Sequence, residues 1–181
     1  MPNLVKLHDL SFQPFITAAQ IEKRVAEIGQ EISTKYKGKK PLFIVVLNGA
    51  FVFAADLVRA CDLKSEIIFI KLTSYHGLES SGTVKTVFGL DVDLKDRHVV
   101  VIEDIVDSGR TMHHFFNNLK EKSPASISLA TLLIKPGALQ FPIEPEYIGF
   151  EIPTKFVIGY GLDYDGLGRN FKDIYHLKES K

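Results

Sequence analysis

Three carboxylates and a group of small hydrogen-bond donors stand together in the middle of the chain. Glu103 and Asp104 are adjacent, and Asp107 follows. Directly after it come Ser108, Gly109, Arg110 and Thr111. The glycine lets the backbone approach a phosphate, while backbone amides, two hydroxyls and a guanidinium can donate to its oxygens. Carboxylates beside a phosphate repel it unless Mg²⁺ or sugar hydroxyls bind between them. This combination therefore predicts a site for a phosphorylated sugar.

A buried strand leads into this group, and a helix leads out of it. Residues 99–102 are a short β-branched apolar run, which predicts a strand that is buried on both faces and ends where the acids begin. Residues 113–122 lack glycine and proline and carry apolar residues at helical spacing. Open α/β sheets bind ligands at the carboxyl ends of their strands. The alternative is an acidic turn in which Asp107 or Ser108 caps the helix, but three carboxylates, a glycine and two hydroxyls together favour binding.

The rest of the chain predicts further elements of the same kind. Thr17 and Gln20 have capping-box spacing, and apolar residues recur at helical intervals up to residue 35, so a first helix is expected there. Apolar runs predict strands over residues 42–47, 65–72, 84–90, 125–134 and 155–160, and a helix over residues 51–60. Residues 4–15 are expected to be partly extended at the surface. Residues 142–153 contain three prolines and predict no regular element.

The composition describes one folded domain of 181 residues. Lys and Arg number 22, and so do Asp and Glu, which gives a formal net charge of zero, whereas a general nucleic-acid-binding protein is expected to be basic. Cys61 is the single cysteine, which excludes an intrachain disulfide and a cysteine-rich zinc site. No apolar run has membrane-spanning length, and the first residues lack the apolar core of a signal peptide. We therefore expect a cytoplasmic protein that binds neither nucleic acid nor membrane.

A second turn has the same setting between a strand and a helix. The strand predicted over residues 42–47 ends at Leu47, and Asn48 and Gly49 precede the next predicted helix. Free backbone amides at a helix start suit a second anionic group. Such turns are also common connectors, so the pattern by itself leaves both interpretations open.

The segment from residue 101 to residue 111, Val-Ile-Glu-Asp-Ile-Val-Asp-Ser-Gly-Arg-Thr, resembles the phosphoribosyl diphosphate (PRPP) signature of the type I phosphoribosyltransferases. Flanking segments, from residue 42 to residue 169, resemble the hypoxanthine/guanine branch of that family. The resemblance implies the type I phosphoribosyltransferase fold, an α/β fold whose mostly parallel central sheet is flanked by helices, with a small hood subdomain and a flexible catalytic loop. One domain would span residues 1–181, with a core of about residues 17–140 and a hood formed by the N-terminal segment and about residues 141–181.

The resemblance also implies an activity in purine salvage. The enzyme would join hypoxanthine or guanine to PRPP, giving IMP or GMP and pyrophosphate, with Mg²⁺ as its cofactor. Its partners would be these small molecules and further copies of the chain, in a homodimer or homotetramer. Asp107 would accept the proton of the base at N7 while N9 attacks the anomeric carbon of the sugar.

The resemblance assigns roles to other residues. The sugar and its 5′-phosphate would be bound by Glu103, Asp104, Asp107, Ser108, Gly109, Arg110 and Thr111. Pyrophosphate would be bound by Leu47, Asn48, Gly49 and Arg169. The purine would be bound by Ile105, Lys135, Phe156, Val157, Leu162 and Asp163. Mg²⁺ would be held by Glu103, Asp104 and Asp163. The flexible loop would begin at Ser74 and Tyr75.

Some features depart from the family pattern or allow another interpretation. Asn48 stands where many members of the family have lysine, so only a backbone contribution is expected there, next to a cis peptide bond between Leu47 and Asn48. Taken alone, Lys135 is equally well a charge at a strand edge, and a phenylalanine in a strand, such as Phe156, is more often a core residue. PRPP-binding transcriptional regulators and PRPP synthetases carry the same signature. The chain has no basic excess and no winged-helix segment, and it is short for a two-lobed synthetase, so the transferase is favoured.

Overall fold

Two β-sheets form the framework of the computed structural model, which describes residues 4–74, 84–88 and 90–178. In chain order the strands are β1 (Val5–Leu7), β2 (Leu10–Ile16), β3 (Leu42–Leu47), β4 (Glu66–Ser74), β5 (Val84–Phe88), β6 (His98–Val106), β7 (Ser126–Ile134), β8 (Tyr147–Glu151), β9 (Val157–Ile158) and β10 (Ile174–Leu177). The helices are α1 (Ala18–Lys35), α2 (Phe51–Ala60) and α3 (Arg110–Lys120).

The large sheet has six strands in the order β5-β4-β3-β6-β7-β8. All neighbours run parallel except β5, which is antiparallel to β4. Phe43 and Val45 pack into a core on the side of α1 and α2, whereas Leu42 and Ile44 pack into a second core on the side of α3. The predicted α/β fold with a mostly parallel, helix-flanked sheet is therefore confirmed.

The capping signal at the start of α1 forms as predicted. The Thr17 amide donates to Oε1 of Gln20 over 2.9 Å, and the Gln20 amide donates to Oγ1 of Thr17 over 3.4 Å. These bonds satisfy backbone amides that the first turn of a helix leaves without partners. In the part of the chain that the structure describes, no helix has the length and apolar character needed to cross a membrane.

The small sheet is antiparallel, with the order β1-β2-β10-β9. It corrects three expectations from the sequence. The segment predicted as partly extended at the surface forms two paired strands, and it buries Phe12 and Ile16. The strand predicted over residues 155–160 is limited to β9, and β10 was not predicted at all. These strands are short and depend on pairing between distant parts of the chain, which local sequence patterns do not reveal.

Strand β6 extends beyond the point at which the sequence predicted its end. Its pairing with β3 stops at Ile102, but its pairing with β7 continues, with Ile105 opposite Leu133. The prediction that the strand stops at residue 102 is therefore wrong, because the ladder on one side continues after the apolar run ends. Helix α3 begins at Arg110 rather than at residue 113. Consequently Glu103 and Asp104 lie in the strand, Asp107 directly follows it, and the connection between strand and helix is very short.

Strand β8 lies in a proline-containing segment for which no element was predicted. It adds a parallel edge to β7 and buries Tyr147. A side chain at Gly149 would place its Cβ 2.3 Å from the carbonyl oxygen of Leu132, so the strand needs a glycine to approach β7. This strand belongs to the large sheet although it falls in the sequence range predicted as hood; the division into core and hood stays a prediction.

Candidate active site

The acid pair, Glu103 and Asp104, lies near the carboxyl end of β6. The Oε2 atom of Glu103 is buried and has no hydrogen-bond partner within the described ranges. Burial raises the pKa of Glu103 well above its usual range, and the neighbouring Asp104 raises it further. Burial also raises the pKa of Asp104 to about 6, although the Ile105 amide donates to its Oδ1 over 2.8 Å. The pair is therefore poised to gain a cation or hydroxyl donors.

The turn at residues 47–49, which is predicted to bind pyrophosphate and is called the pyrophosphate turn below, lies directly against the acid pair. A Cβ at Gly49 would fall 1.5 Å from Oδ2 of Asp104, so any larger residue would force the Asp104 carboxylate to move. The peptide bond between Leu47 and Asn48 is cis, as the resemblance implies. The structure thus brings two predicted sites together, one for the leaving group and one for the sugar.

A second tight turn, residues 159–161, packs on the pyrophosphate turn from the other side. A Cβ at Gly161 would lie 2.1 Å from the carbonyl oxygen of Gly49. Arg169 donates through Nη1 to the carbonyl oxygen of Gly161 over 2.7 Å, and its Nη2 pairs with Oδ1 of Asp163 over 2.7 Å. Arg169 and Asp163, predicted to serve pyrophosphate and metal, are therefore fixed beside Gly49.

Residues 108–111, which are predicted to bind the 5′-phosphate and are called the phosphate segment below, form the junction between β6 and α3. Gly109 has a φ of 77° and caps the helix, and the Arg110 amide donates to Oγ of Ser108 over 3.4 Å. The amides of Gln140 and Phe141 donate to the carbonyl oxygen of Ser108 over 3.0 and 3.2 Å. A helix start with free amides and positive potential suits a phosphate. The predicted residues thus stand in a suitable place, except that Arg110 and Thr111 belong to the helix and not to a loop.

Asp107 and Lys135 meet in an ion pair at the edge formed by the ends of β6 and β7. Nζ of Lys135 lies 2.7 Å from Oδ2 of Asp107. The lysine side chain is 10% exposed and the aspartate side chain 55% exposed. Lys135 is therefore not a solvated charge at a strand edge. The predicted proton acceptor and the predicted reader of the purine oxygen are direct neighbours.

The predicted purine-stacking residue stands at the small sheet with a ring that is not sealed in the core. Phe156 is 42% exposed. Its ring is edge-on to Tyr164 at a centroid distance of 5.7 Å and is tilted against Phe12 at 6.0 Å. The other predicted purine contacts lie deeper, since Val157 and Leu162 are buried and Ile105 is partly buried. Their positions allow main-chain contacts rather than open side-chain surfaces.

Several neighbours of the site were not predicted. Phe141 lies under the Arg110 guanidinium at 5.2 Å, Tyr164 and Phe12 support Phe156, and Tyr160 occupies the turn beside Gly49. Only the Gly-Tyr-Gly sequence of residues 159–161 carried a signal, since closely spaced glycines indicate unusual backbone angles. Of the predicted loop residues, Ser74 ends β4, and Tyr75 lies outside the described residues.

The carboxylates fit a cation, although they do not form a ready-made cluster. Within residues 4–74, 84–88 and 90–178, no group of three or more His, Cys, Asp or Glu side chains is arranged to hold a metal ion. The unpartnered oxygen of Glu103 and the raised pKa values of Glu103 and Asp104 indicate missing positive charge. Asp163 is neutralised by Arg169. Oxygen donors of this kind suit Mg²⁺.

Comparisons with known proteins agree with this geometry. The family model of the phosphoribosyl transferase domain matches residues 16–165. The hypoxanthine-guanine phosphoribosyltransferase of Mycobacterium avium is 40% identical over 169 residues, which are 90% of this chain and 82% of that protein. The bifunctional protein TilS/HprT of Listeria monocytogenes is 39% identical over 173 residues, or 95% of this chain, but the chain spans only 27% of that protein's length.

Solved structures show the same likeness. A crystal structure of a hypoxanthine phosphoribosyltransferase from Staphylococcus aureus has a TM-score of 0.87 and 35% identity, covering 92% of this chain and 91% of that one. A mutant hypoxanthine phosphoribosyltransferase from Trypanosoma cruzi, in a ternary substrates complex, has a TM-score of 0.86 and 36% identity, covering 91% of this chain and 94% of that one. The chain therefore belongs to the phosphoribosyltransferase family, in the hypoxanthine-guanine branch that its motifs resemble.

Proposed function

We propose that the chain transfers the phosphoribosyl group of PRPP to hypoxanthine or guanine and releases pyrophosphate. One observation carries this proposal. The ion pair of Asp107 and Lys135 joins a carboxylate and an ammonium at the sheet edge, directly before the phosphate segment. This arrangement suits a ligand that has a 6-oxo group and an acidic N–H at one end and a phosphate at the other.

Asp107 would act on the purine. As N9 of the base attacks the anomeric carbon, the bond from that carbon to pyrophosphate breaks, and Asp107 takes the proton from N7. Lys135 would donate to the exocyclic oxygen, which selects 6-oxo over 6-amino purines. Phe156 would stack on the ring, since its ring is partly exposed and two aromatic neighbours hold it.

The phosphates would be bound at two separate places. The phosphate segment would bind the 5′-phosphate through first-turn amides and hydroxyls. The pyrophosphate turn and Arg169 would bind the leaving group, on which negative charge accumulates as the bond breaks. The 2.7 Å bond between Arg169 and the Gly161 carbonyl holds the guanidinium beside this turn.

We also propose that Mg²⁺ is the cofactor. Glu103 and Asp104 would hold the ribose hydroxyls directly or through the ion, and Asp163 would contribute on the pyrophosphate side. Bound Mg²⁺ would neutralise charge on the diphosphate. The buried Oε2 of Glu103, which has no partner in the part of the chain that the structure describes, supports this assignment.

The decisive experiment is an absorbance assay with PRPP, Mg²⁺ and each purine base in turn. We expect turnover with hypoxanthine, guanine or both, and little with adenine. Calorimetric binding of PRPP without turnover of any base would contradict the transferase and favour a PRPP-binding regulator. A requirement for Mg²⁺ is tested in the same assay by adding EDTA and then restoring the metal.

A homodimer or homotetramer is proposed for the chain in solution. Phe51, Ile67 and Phe69 are 44%, 43% and 48% exposed. Ile67 and Phe69 lie in β4, opposite Phe43 and Val45 of β3, on the side of the sheet that faces α2. Light scattering on the purified protein tests this proposal, and a monomer at micromolar concentration would contradict it.

A further inference from the structure

The turn beside the pyrophosphate turn has an unusual backbone. Gly159, Tyr160 and Gly161 have φ angles of +100°, +49° and +104°. Tyrosine is disfavoured in the left-handed region, because its Cβ approaches the backbone. Such a conformation persists only where the surroundings hold it in place.

Helix α2 supplies what holds this turn. The Tyr160 hydroxyl donates to Oδ2 of Asp56 over 2.7 Å, and Tyr160 is only 7% exposed. The Tyr160 amide donates to the carbonyl oxygen of Phe171, and the Gly161 amide donates to that of Arg169, both over 2.9 Å. Burial and the bond to Asp56 raise the pKa of Tyr160, so the hydroxyl keeps its proton and stays a donor.

The turn of residues 159–161 sets the position of groups that are proposed to bind pyrophosphate. Gly161 packs on the Gly49 carbonyl so closely that a Cβ would lie 2.1 Å from that oxygen. The Gly161 carbonyl accepts from Arg169, which pairs with Asp163. Because α2 begins directly after the pyrophosphate turn, the bond from Tyr160 to Asp56 ties both turns to one helix.

We propose that Tyr160 and Asp56 are positioning residues, whose hydrogen bond fixes the two turns and Arg169 in the geometry that binds the pyrophosphate end of PRPP. This inference rests on the proposed function. Neither residue is assigned a contact with substrate. The phosphate segment is held independently, by Gln140 and Phe141. The loss should therefore fall on PRPP and pyrophosphate, and not on the 5′-phosphate of the nucleotide product.

The test uses four variants and one matched control. Tyr160→Phe removes only the hydroxyl, Asp56→Ala removes the acceptor, and the double variant removes both. Asp56→Asn keeps an acceptor oxygen and should restore near wild-type behaviour. The control is Arg59→Ala, because Arg59 is an exposed neighbour that pairs with Asp56 at 3.7 Å.

We expect Tyr160→Phe and Asp56→Ala each to raise KM for PRPP and for pyrophosphate in the reverse reaction on the order of tenfold, the scale of a lost hydrogen bond to a charged group. The double variant should be no worse than either single one, because the two substitutions remove the same bond. Affinity for IMP, measured by calorimetry, should stay within about twofold, as should kcat. Arg59→Ala should behave as wild type.

Two results would overturn the inference. One is an unchanged KM for PRPP and pyrophosphate in Tyr160→Phe. The other is a lowered melting temperature with kcat, IMP affinity and every KM altered alike, which marks a merely structural role. If the wild type turns over no purine, the proposed function fails, but the positioning role can still be tested. Calorimetry would then compare pyrophosphate binding in the presence of Mg²⁺ between wild type and Tyr160→Phe. Equal affinities would refute the positioning role.

Discussion

Two sets of carboxylates stand at the end of β6, only three residues apart in sequence, and their surroundings differ. Glu103 and Asp104 are desolvated and have raised pKa values, and the buried Oε2 of Glu103 has no hydrogen-bond partner among the described residues. Asp107 is half exposed and already has a cationic partner in Lys135. The difference indicates two tasks. The acid pair needs a ligand or cation to satisfy its buried oxygens. Asp107 already pairs with Lys135, and a bound purine would contact both residues.

Asp107→Asn provides the strongest test of this division. We expect kcat with hypoxanthine to fall by roughly 10²- to 10⁴-fold, the usual range for the loss of a general base. Calorimetric PRPP binding should be nearly unchanged, because the phosphate segment and the acid pair stay in place. Asp91→Asn, at an exposed position that is assigned no role in the site, is the control for charge. Wild-type turnover in Asp107→Asn would remove this residue from the mechanism.

Lys135→Met tests whether the partner of Asp107 reads the purine. Methionine keeps the length of the buried stem without its charge. We expect kcat/KM for hypoxanthine to fall by about 10- to 100-fold, since a hydrogen bond from a charged group is lost, and the preference over adenine should shrink with it. An unchanged preference between the two bases would assign the reading of the oxygen to another group.

The sequence revealed the parts of the fold that depend on local patterns. The Thr17 cap and the buried run of β3 produced recognisable signals, and the acids before Gly109 marked the site. Strand β10 escaped prediction because it is stabilised by pairing with a segment more than a hundred residues away. The end of β6 was placed too early because its ladder with β7 outlasts its apolar run.

Contacts within the site were less predictable than its composition. The family resemblance assigns both Asp107 and Lys135 to the purine, so it predicts that they lie in the same region. That they form an ion pair depends on β7 being the direct neighbour of β6, which no local pattern specifies. The bond between Tyr160 and Asp56 joins residues 104 positions apart, and it was visible only in three dimensions.

The smallest effect is expected in the stability of the metal-free protein. The acid pair should make its free energy of unfolding depend on pH. The pKa of Asp104 is raised in the folded state from an ordinary 3.8 to about 6. The folded state therefore holds this proton more tightly than the unfolded state does. Proton binding by Asp104 therefore stabilises the folded state fully below about pH 4, and this stabilisation is lost as pH rises through about 6.

Asp104→Asn should remove the part of this dependence that comes from Asp104, because an amide does not titrate, and leave the part that comes from the buried Glu103. In EDTA, wild type and variant should melt together near pH 4, and above pH 7 the variant should melt a few degrees higher, on the order of 2–4 °C per kcal/mol for a chain of this size. Mg²⁺ should then raise the melting temperature of the wild type more than that of the variant. Parallel melting curves at every pH would mean that Asp104 already has a compensating partner, and the contrast with Asp107 would disappear.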